Sequence, residues 1–264
     1  MNLKLSHIMD EQLLLFDIET TLKNRKALFK KKNLLYWYQQ LYERLLGCDR
    51  ENVANLRILE IGSGMSPLKH FYPSVITSDI MSLDHVDHVF DAHDIGCVSV
   101  VKNESLDLII LTNVLHHLRN PLDFLADAGR KLQTGGRIIM VEPYFSTLSR
   151  SIYLHLHHEP TDFSTVEPRL SEVKGPLSSA NMAIPYMIFW EKPGWLRQVL
   201  ENYMITESKK FYYSGISYMA TGGISHNIKI PHWLYKQLWK LDNWLADSFF
   251  RQFAAFFCIT LTKK

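Results

Sequence analysis

Apolar positions follow two different rhythms along the chain. Up to residue 46 the spacing is helical, with Leu34, Leu35, Trp37, Tyr38, Leu41, Leu45 and Leu46 on one broad apolar face. From residue 56 short apolar runs take over. Residues 56–61 read as a strand delivered into Gly62-Ser63-Gly64, after which Ser66 and Pro67 supply an N-cap and a first-turn proline. Residues 75–80, 88–90 and 106–111 read as three more strands. Asn120-Pro121 then opens a helix with Leu122, Leu125 and Leu132 on one face. Gly135-Gly136 ends it, and 137–141 makes a fifth strand. A helix from Pro193-Gly194 to residue 200 and strands at 204–208 and 256–261 complete the alternation. Such a pattern predicts an α/β fold: a mostly parallel seven-stranded sheet with helices on both faces.

Two stretches break the rhythm. Residues 144–186 are too long for a simple connection, and 211–250 hold an aromatic helical pattern with Leu234, Leu238, Leu241 and Leu245. The expected organisation is an N-terminal helical segment (1–50), a central core (51–143), an insertion or lid (144–190), and a C-terminal part of the core carrying the aromatic helical insertion (191–264). Trp233, Trp239 and Trp244 suit a packed core, the wall of an apolar acceptor pocket, or a lipid contact.

Composition narrows the function classes. The chain is 47% hydrophobic and 21% charged, and Lys plus Arg (29) nearly balance Asp plus Glu (27). A nucleic-acid binder is not expected from that balance. The one basic run, Lys23, Arg25, Lys26, Lys30, Lys31 and Lys32, reads as a solvated helix face or as a phosphate- or membrane-surface patch. Cys48, Cys97 and Cys258 have neither metal-ligand nor redox spacing. Asp10, Glu11 and Asp17 interrupt the N-terminal apolar stretch, and Asp247, Arg251 and Gln252 interrupt 244–261. Neither a signal peptide nor a transmembrane segment is expected, and a cytoplasmic location is.

Candidate chemistry begins at the glycine turn. In open α/β sheets, ligands bind at the carboxyl ends of the strands where the strand order reverses, and bare backbone there lets a cofactor approach. A nicotinamide fingerprint fails at its sixth position, which is Pro67. Glu60, two residues before Gly62, suits a cationic cofactor such as S-adenosyl-L-methionine better than a diphosphate, which like charge would repel. Asp79, nineteen residues after Glu60 at the end of the second strand, suits a ribose.

The segments Leu59-Glu60-Ile61-Gly62-Ser63-Gly64, Asp79, Phe90-Asp91-Ala92 and Asn113-Val114-Leu115-His116-His117-Leu118 resemble, in order and spacing, the successive motifs of class I, Rossmann-like S-adenosylmethionine-dependent methyltransferases. The small-molecule type with a His-His-Leu motif is the nearest likeness. One departure is Ser66, where some members carry a third glycine. The resemblance implies that Glu60 and the Gly62 backbone hold the methionine part of the cofactor, with Thr112 and Asn113 completing that pocket. It implies Asp79 at the ribose, Asp91 at the adenine amino group with the Ala92 backbone beside it, and Ser63, Gly64 and Ile80 among the cofactor-binding residues.

Methyl transfer needs alignment more than acid–base chemistry, because the donor is already activated. Candidate catalytic groups are nevertheless present in His117, beside His116, and in His157 and His158 of His155-Leu156-His157-His158-Glu159-Pro160-Thr161-Asp162. That cluster reads as a general base oriented by Glu159 or Asp162, or as a polar hinge facing the substrate. A metal site is a third reading of the cluster, but standard ligand spacing does not support it, and no metal is expected. The expected activity is methyl transfer to an oxygen or nitrogen of a small-molecule acceptor such as a glycan, lipid or secondary-metabolite precursor. The alternatives are a non-catalytic binding or interaction module of the same fold, an RNA methyltransferase, and a nicotinamide oxidoreductase.

Overall fold

The structure, a computed structural model, describes residues 11–155, 157, 159–202, 204–211, 213, 215–248 and 251–264. The described residues hold seven strands: β1 (Ile58–Ile61), β2 (Ile76–Asp79), β3 (His88–Val89), β4 (Leu106–Thr112), β5 (Leu132–Pro143), β6 (Met204–Phe211) and β7 (Phe256–Lys263). They form one Rossmann-like sheet of order β3-β2-β1-β4-β5-β7-β6. β7 lies antiparallel between β5 and β6, while the pairs on the other side of β5 are parallel. Every residue of β1 is buried, as are Leu106 and Leu108–Leu111 of β4. Near-continuous apolar runs are what strands covered on both faces require.

Two cores follow, one on each face of the sheet. Leu59, Ile61, Ile109 and Leu111 pack on one side with Phe124, Leu125 and Ala128 of α5 (Pro121–Lys131). Ile58, Leu108, Ile110 and Val141 pack on the other with Trp37, Leu41 and Tyr42 of α2 (Lys32–Leu46). The expected helical start of the chain is therefore present, split at Lys31 from α1 (Glu11–Lys30). The buried positions of α1 are Asp17, Thr21 and Leu28, so a partly polar face turns inward.

Several boundaries differ from the sequence reading. The helix after Ser66-Pro67 is one turn, Leu68–Phe71, and Ser66 Oγ accepts from the Leu68 N–H at 3.1 Å. Asn120 occupies the N-cap of α5 with no side-chain cap bond. α5 ends at Lys131, and Leu132, expected on its apolar face, is the first strand residue instead. Gly135 (φ +77°) lies inside β5, where the pairing register with β4 shifts between Leu106 and Leu108. A bulge absorbs the two glycines, so they bend a strand rather than stop a helix.

The basic run divides. The Lys31 ammonium donates to the carbonyls of Gly223, Ile224 and His226 at 2.7–2.8 Å, and Arg25 reaches the Ser66 carbonyl. Lys23, Lys30 and Lys32 are exposed. Lys31→Ala is expected to free the 223–228 loop, lowering its local opening free energy by about 1 kcal/mol, a charged hydrogen-bond value discounted for solvation. Faster amide exchange confined to that loop is the measurement.

The aromatic insertion forms the short α9 (Ile216–Ala220) and α10 (His232–Asp247). Of its tryptophans only Trp239 packs inward, its indole N–H donating to Tyr213 Oη at 3.1 Å. Trp233 and Trp244 are 70% and 62% exposed, so they belong neither to the core nor to a pocket wall. No described helix is long and apolar enough to cross a membrane.

Candidate functional site

A cavity of about 1290 Å³ opens at the carboxyl ends of β1, β2 and β4, where the strand order reverses. Its walls include Gly62, Gly64, Asp79, Ile80, Asp91, Ala92, Thr112 and Asn113. It is roofed by Phe16, Asp17 and Thr21 of α1, by Val173 and residues 175–179 of the first insertion, and by Tyr218, Gly222 and Ile224 of the second.

The glycine turn is locally demanding. Gly62 has φ +72°, and a β-carbon there would sit 2.5 Å from Val114 Cγ2, so only glycine fits. The Gly64 N–H donates to Asp79 Oδ2 at 2.8 Å and the Met81 N–H to Oδ1 at 2.9 Å, tying the turn to the end of β2. Each carboxylate oxygen accepts more than one bond, so these two leave capacity facing the cavity. Burial raises the Asp79 carboxyl above its ordinary value despite those N–H donors.

Glu60 and Ser63 do not line the cavity, in contrast to the sequence expectation. Ser63 turns back into the turn, where its Oγ accepts from the Ser78 N–H at 3.2 Å. Glu60 is buried behind Ser66, whose Oγ lies 2.5 Å from Glu60 Oε1 and 2.9 Å from Tyr42 Oη. Tyr42, not singled out from the sequence, and Ser66, read there as a helix N-cap, are the groups that meet the cavity. Burial lifts the Glu60 carboxyl to about 7, against the pull of Ser66 and the Arg25 guanidinium.

At this junction Glu60 Oε2 and Asn113 Oδ1 are buried with no hydrogen-bond partner among the described residues. Asn113 also has φ +56°, a left-handed conformation that asparagine tolerates better than most residues, at a point where the chain leaves β4. Unpaired buried acceptors beside a bare glycine turn fit a ligand that brings cationic and hydrogen-bond-donating groups.

On the β3 side, Asp91 caps a 3-10 turn (Ala92–Asp94), with Oδ1 accepting from the His93 N–H at 2.9 Å. His93 Nε2 accepts from the Asn120 N–H at 3.2 Å, so Nδ1 carries the ring proton and donates it to Asp91 Oδ1 at 2.6 Å. Burial would raise the Asp91 carboxyl, but these His93 bonds hold it low.

On the β4–β5 side lies the histidine group. His116 is buried, its Nδ1 2.6 Å from Oε2 of Glu142, a fully buried residue at the end of β5. Glu142 Oε1 accepts from the Val114 and Leu115 N–H groups at 3.0 and 2.7 Å. Glu159 of the first insertion faces His116 Nε2 at 3.4 Å, His117 Nε2 at 3.6 Å and His157 Nδ1 at 3.8 Å. Burial alone would lower the His116 imidazole, but the two carboxylates outweigh it and raise it to about 10. The same histidines bring Glu159 down to about 2 against its own burial. Asp162 stands apart, bonded to Ser164, so of the two acids expected to orient a histidine only Glu159 meets them. His158 lies outside the described residues.

Glu142 was missed by sequence reasoning, yet it left a signal. A carboxylate closing the apolar run Ile138–Val141 is buried by its strand and must find donors.

The comparisons with known proteins come to bear on this geometry. A model of the methyltransferase-domain family matches residues 27–169. Among solved structures the chain is similar to a S-adenosylmethionine-dependent methyltransferase of Thermotoga maritima, at 15% identity over 96% of this chain and 97% of that one (TM-score 0.46). It is also similar to one of Archaeoglobus fulgidus, at 15% identity over 85% and 98% (TM-score 0.42). With the CMeT domain of the citrinin polyketide synthase it shares 20% identity over 34% of this chain and only 29% of that one (TM-score 0.28). No curated protein matches. The family match spans more than half of the sequence, so the chain belongs to the methyltransferase-domain family and is a S-adenosylmethionine-dependent methyltransferase.

Proposed function

We propose that this enzyme methylates an oxygen or nitrogen of a small-molecule acceptor held under α1 and the two insertions. One observation carries the reading. A single cavity joins the glycine turn, Asp79 and Asp91 to an acceptor side built from His116, His117, Glu159 and aromatic walls. Its volume of about 1290 Å³ exceeds the roughly 300–1,000 Å³ of a one-ligand pocket, which leaves room for donor and acceptor together.

S-adenosylmethionine supplies a methyl group already activated on a sulfonium. Gly62, Gly64, Thr112 and Asn113 would meet its methionine part, Asp79 and Ile80 its ribose, and Asp91 and Ala92 its adenine. Glu60 acts from behind, through Ser66 and through its charge. The insertions exclude water and align the acceptor, which is most of what a direct displacement needs. A hydroxyl or amine must also lose a proton. The imidazole–carboxylate edge of His117 and Glu159, which lines the cavity, would favour that loss, with His157 Nδ1 accepting from the Glu159 N–H at 3.2 Å. The experiment is a metabolite-pool screen with isotopically labelled methyl donor. Label is expected in a low-mass product, and label only in RNA or protein would overturn the reading.

A pH dependence follows from Glu60. Its carboxyl titrates near 7 in the free protein. A cation bound at the turn favours the charged form, so binding expels the proton. Affinity for S-adenosylmethionine is expected to rise as pH climbs from about 5.5 to 7 and then level off, by up to tenfold per pH unit. Calorimetry across that range checks it, and Glu60→Gln is expected to flatten the profile.

A further inference from the structure

The tautomers of the two adjacent histidines are set by their neighbours. His117 Nδ1 lies 2.8 Å from the Ser179 carbonyl oxygen, which can only accept, so Nδ1 carries the proton. His116 Nδ1 lies 2.6 Å from Glu142 Oε2, acceptor-only as a carboxylate, and donates likewise. Both rings are thus clamped through Nδ1 and turn Nε2 toward the same carboxylate, Glu159.

The spacing there is wrong for hydrogen bonds and right for something between the groups. The two Nε2–oxygen distances, 3.4 and 3.6 Å, exceed the N–H···O range of roughly 2.7–3.2 Å. Ligand atoms around a tetrahedral metal with bonds of about 2.0–2.1 Å stand about 3.3–3.4 Å apart. One ligand atom from each of His116, His117 and Glu159 falls within 4.8 Å of the others.

We propose that His116, His117 and Glu159 bind one divalent transition-metal ion, with Glu142 and the Ser179 carbonyl orienting the two imidazoles from behind. Two imidazoles and a carboxylate suit zinc, iron(II), cobalt or nickel better than magnesium or calcium. Histidine ligands held by a carboxylate or carbonyl on the far nitrogen are the usual support of such ions. All three residues line the cavity, so the remaining coordination positions face the acceptor side. That the ion would take an oxygen of the acceptor and lower its pKa rests on the proposed methyl transfer; the binding of the ion does not.

The test uses the full chain, stripped with a chelator and titrated with zinc and with cobalt(II). One equivalent per chain is expected, with a visible absorption band for the cobalt form. His117→Ala and Glu159→Gln should each weaken metal binding at least tenfold while binding of S-adenosylmethionine, measured in parallel, reports the fold. Asp162→Ala, on the exposed side of the same loop, should bind metal as the parent does. No stoichiometric binding by parent chain that binds S-adenosylmethionine overturns the proposal, and so does metal binding indifferent to both ligand variants. Metal bound as expected without any methylated small molecule would overturn the proposed acceptor class and leave the metal site standing.

Discussion

Glu142→Ala is expected to destabilise the protein by about 3–5 kcal/mol, the range for removing one partner of a buried ion pair. Glu142 is fully buried, and three donors converge on it: the Val114 and Leu115 N–H groups and His116 Nδ1. Alanine leaves all three without an acceptor, in a protein whose whole stability is on the order of 5–15 kcal/mol. Denaturant unfolding measures the loss, and a change under 1 kcal/mol would mean that water or a rearranged loop satisfies those donors. Glu142→Gln separates shape from charge. Its carbonyl oxygen keeps the two main-chain bonds, but its amide N–H₂ faces His116 Nδ1 and favours the opposite tautomer. Nε2–H then points at Glu159, so this variant should recover much of the stability yet still lose the metal.

Asp79→Ala is expected to weaken S-adenosylmethionine binding ten- to a hundredfold. Hydrogen bonds to a charged group contribute about 1.5–3 kcal/mol each, and 1.4 kcal/mol is a factor of ten in affinity. Asp79 also holds the glycine turn in place by accepting from Gly64 and Met81, so the loss combines the proposed ribose partner with a looser turn. The fold should survive, because the freed N–H groups border the cavity and can take water. Calorimetric binding together with a thermal melt checks both halves. Unchanged affinity in a folded variant would place the ribose elsewhere. Asp79→Asn, which keeps one acceptor oxygen, should fall between the two.

The fold was legible wherever the signal was local. β1, β2 and β4 could be read from their apolar runs, and each ends within a residue or two of its expected position. Elements misjudged were those in which a local cue competed with pairing. Gly135-Gly136 looks like a helix stop, but pairing of Leu106 with Leu132 draws the strand back past both glycines. Trp233 and Trp244 have the spacing of a packed face, yet the inner side of α10 belongs to Tyr235, Trp239 and Asn243. Lys31 sits in what reads as a solvated basic run, and only the distant 223–226 loop reveals its work.

By itself the sequence determined the strand ends and what they carry: Gly62 and Gly64 after β1, Asp79 after β2, Asp91 after β3, Asn113 after β4. Period, chirality and the need for glycine at positive φ act over a few residues, so they are written locally. Only the tertiary structure decided that Glu60 stands behind Ser66 and Tyr42, that α1 roofs the cavity, and that Glu142 and Glu159 converge on His116 from opposite sides. Tyr42 and Ser66 stand 24 positions apart along the chain, His116 and Glu142 26, and His116 and Glu159 43. Which carboxylate meets which imidazole is set by how the sheet orders its strands and where the insertion folds back, and no short pattern encodes that.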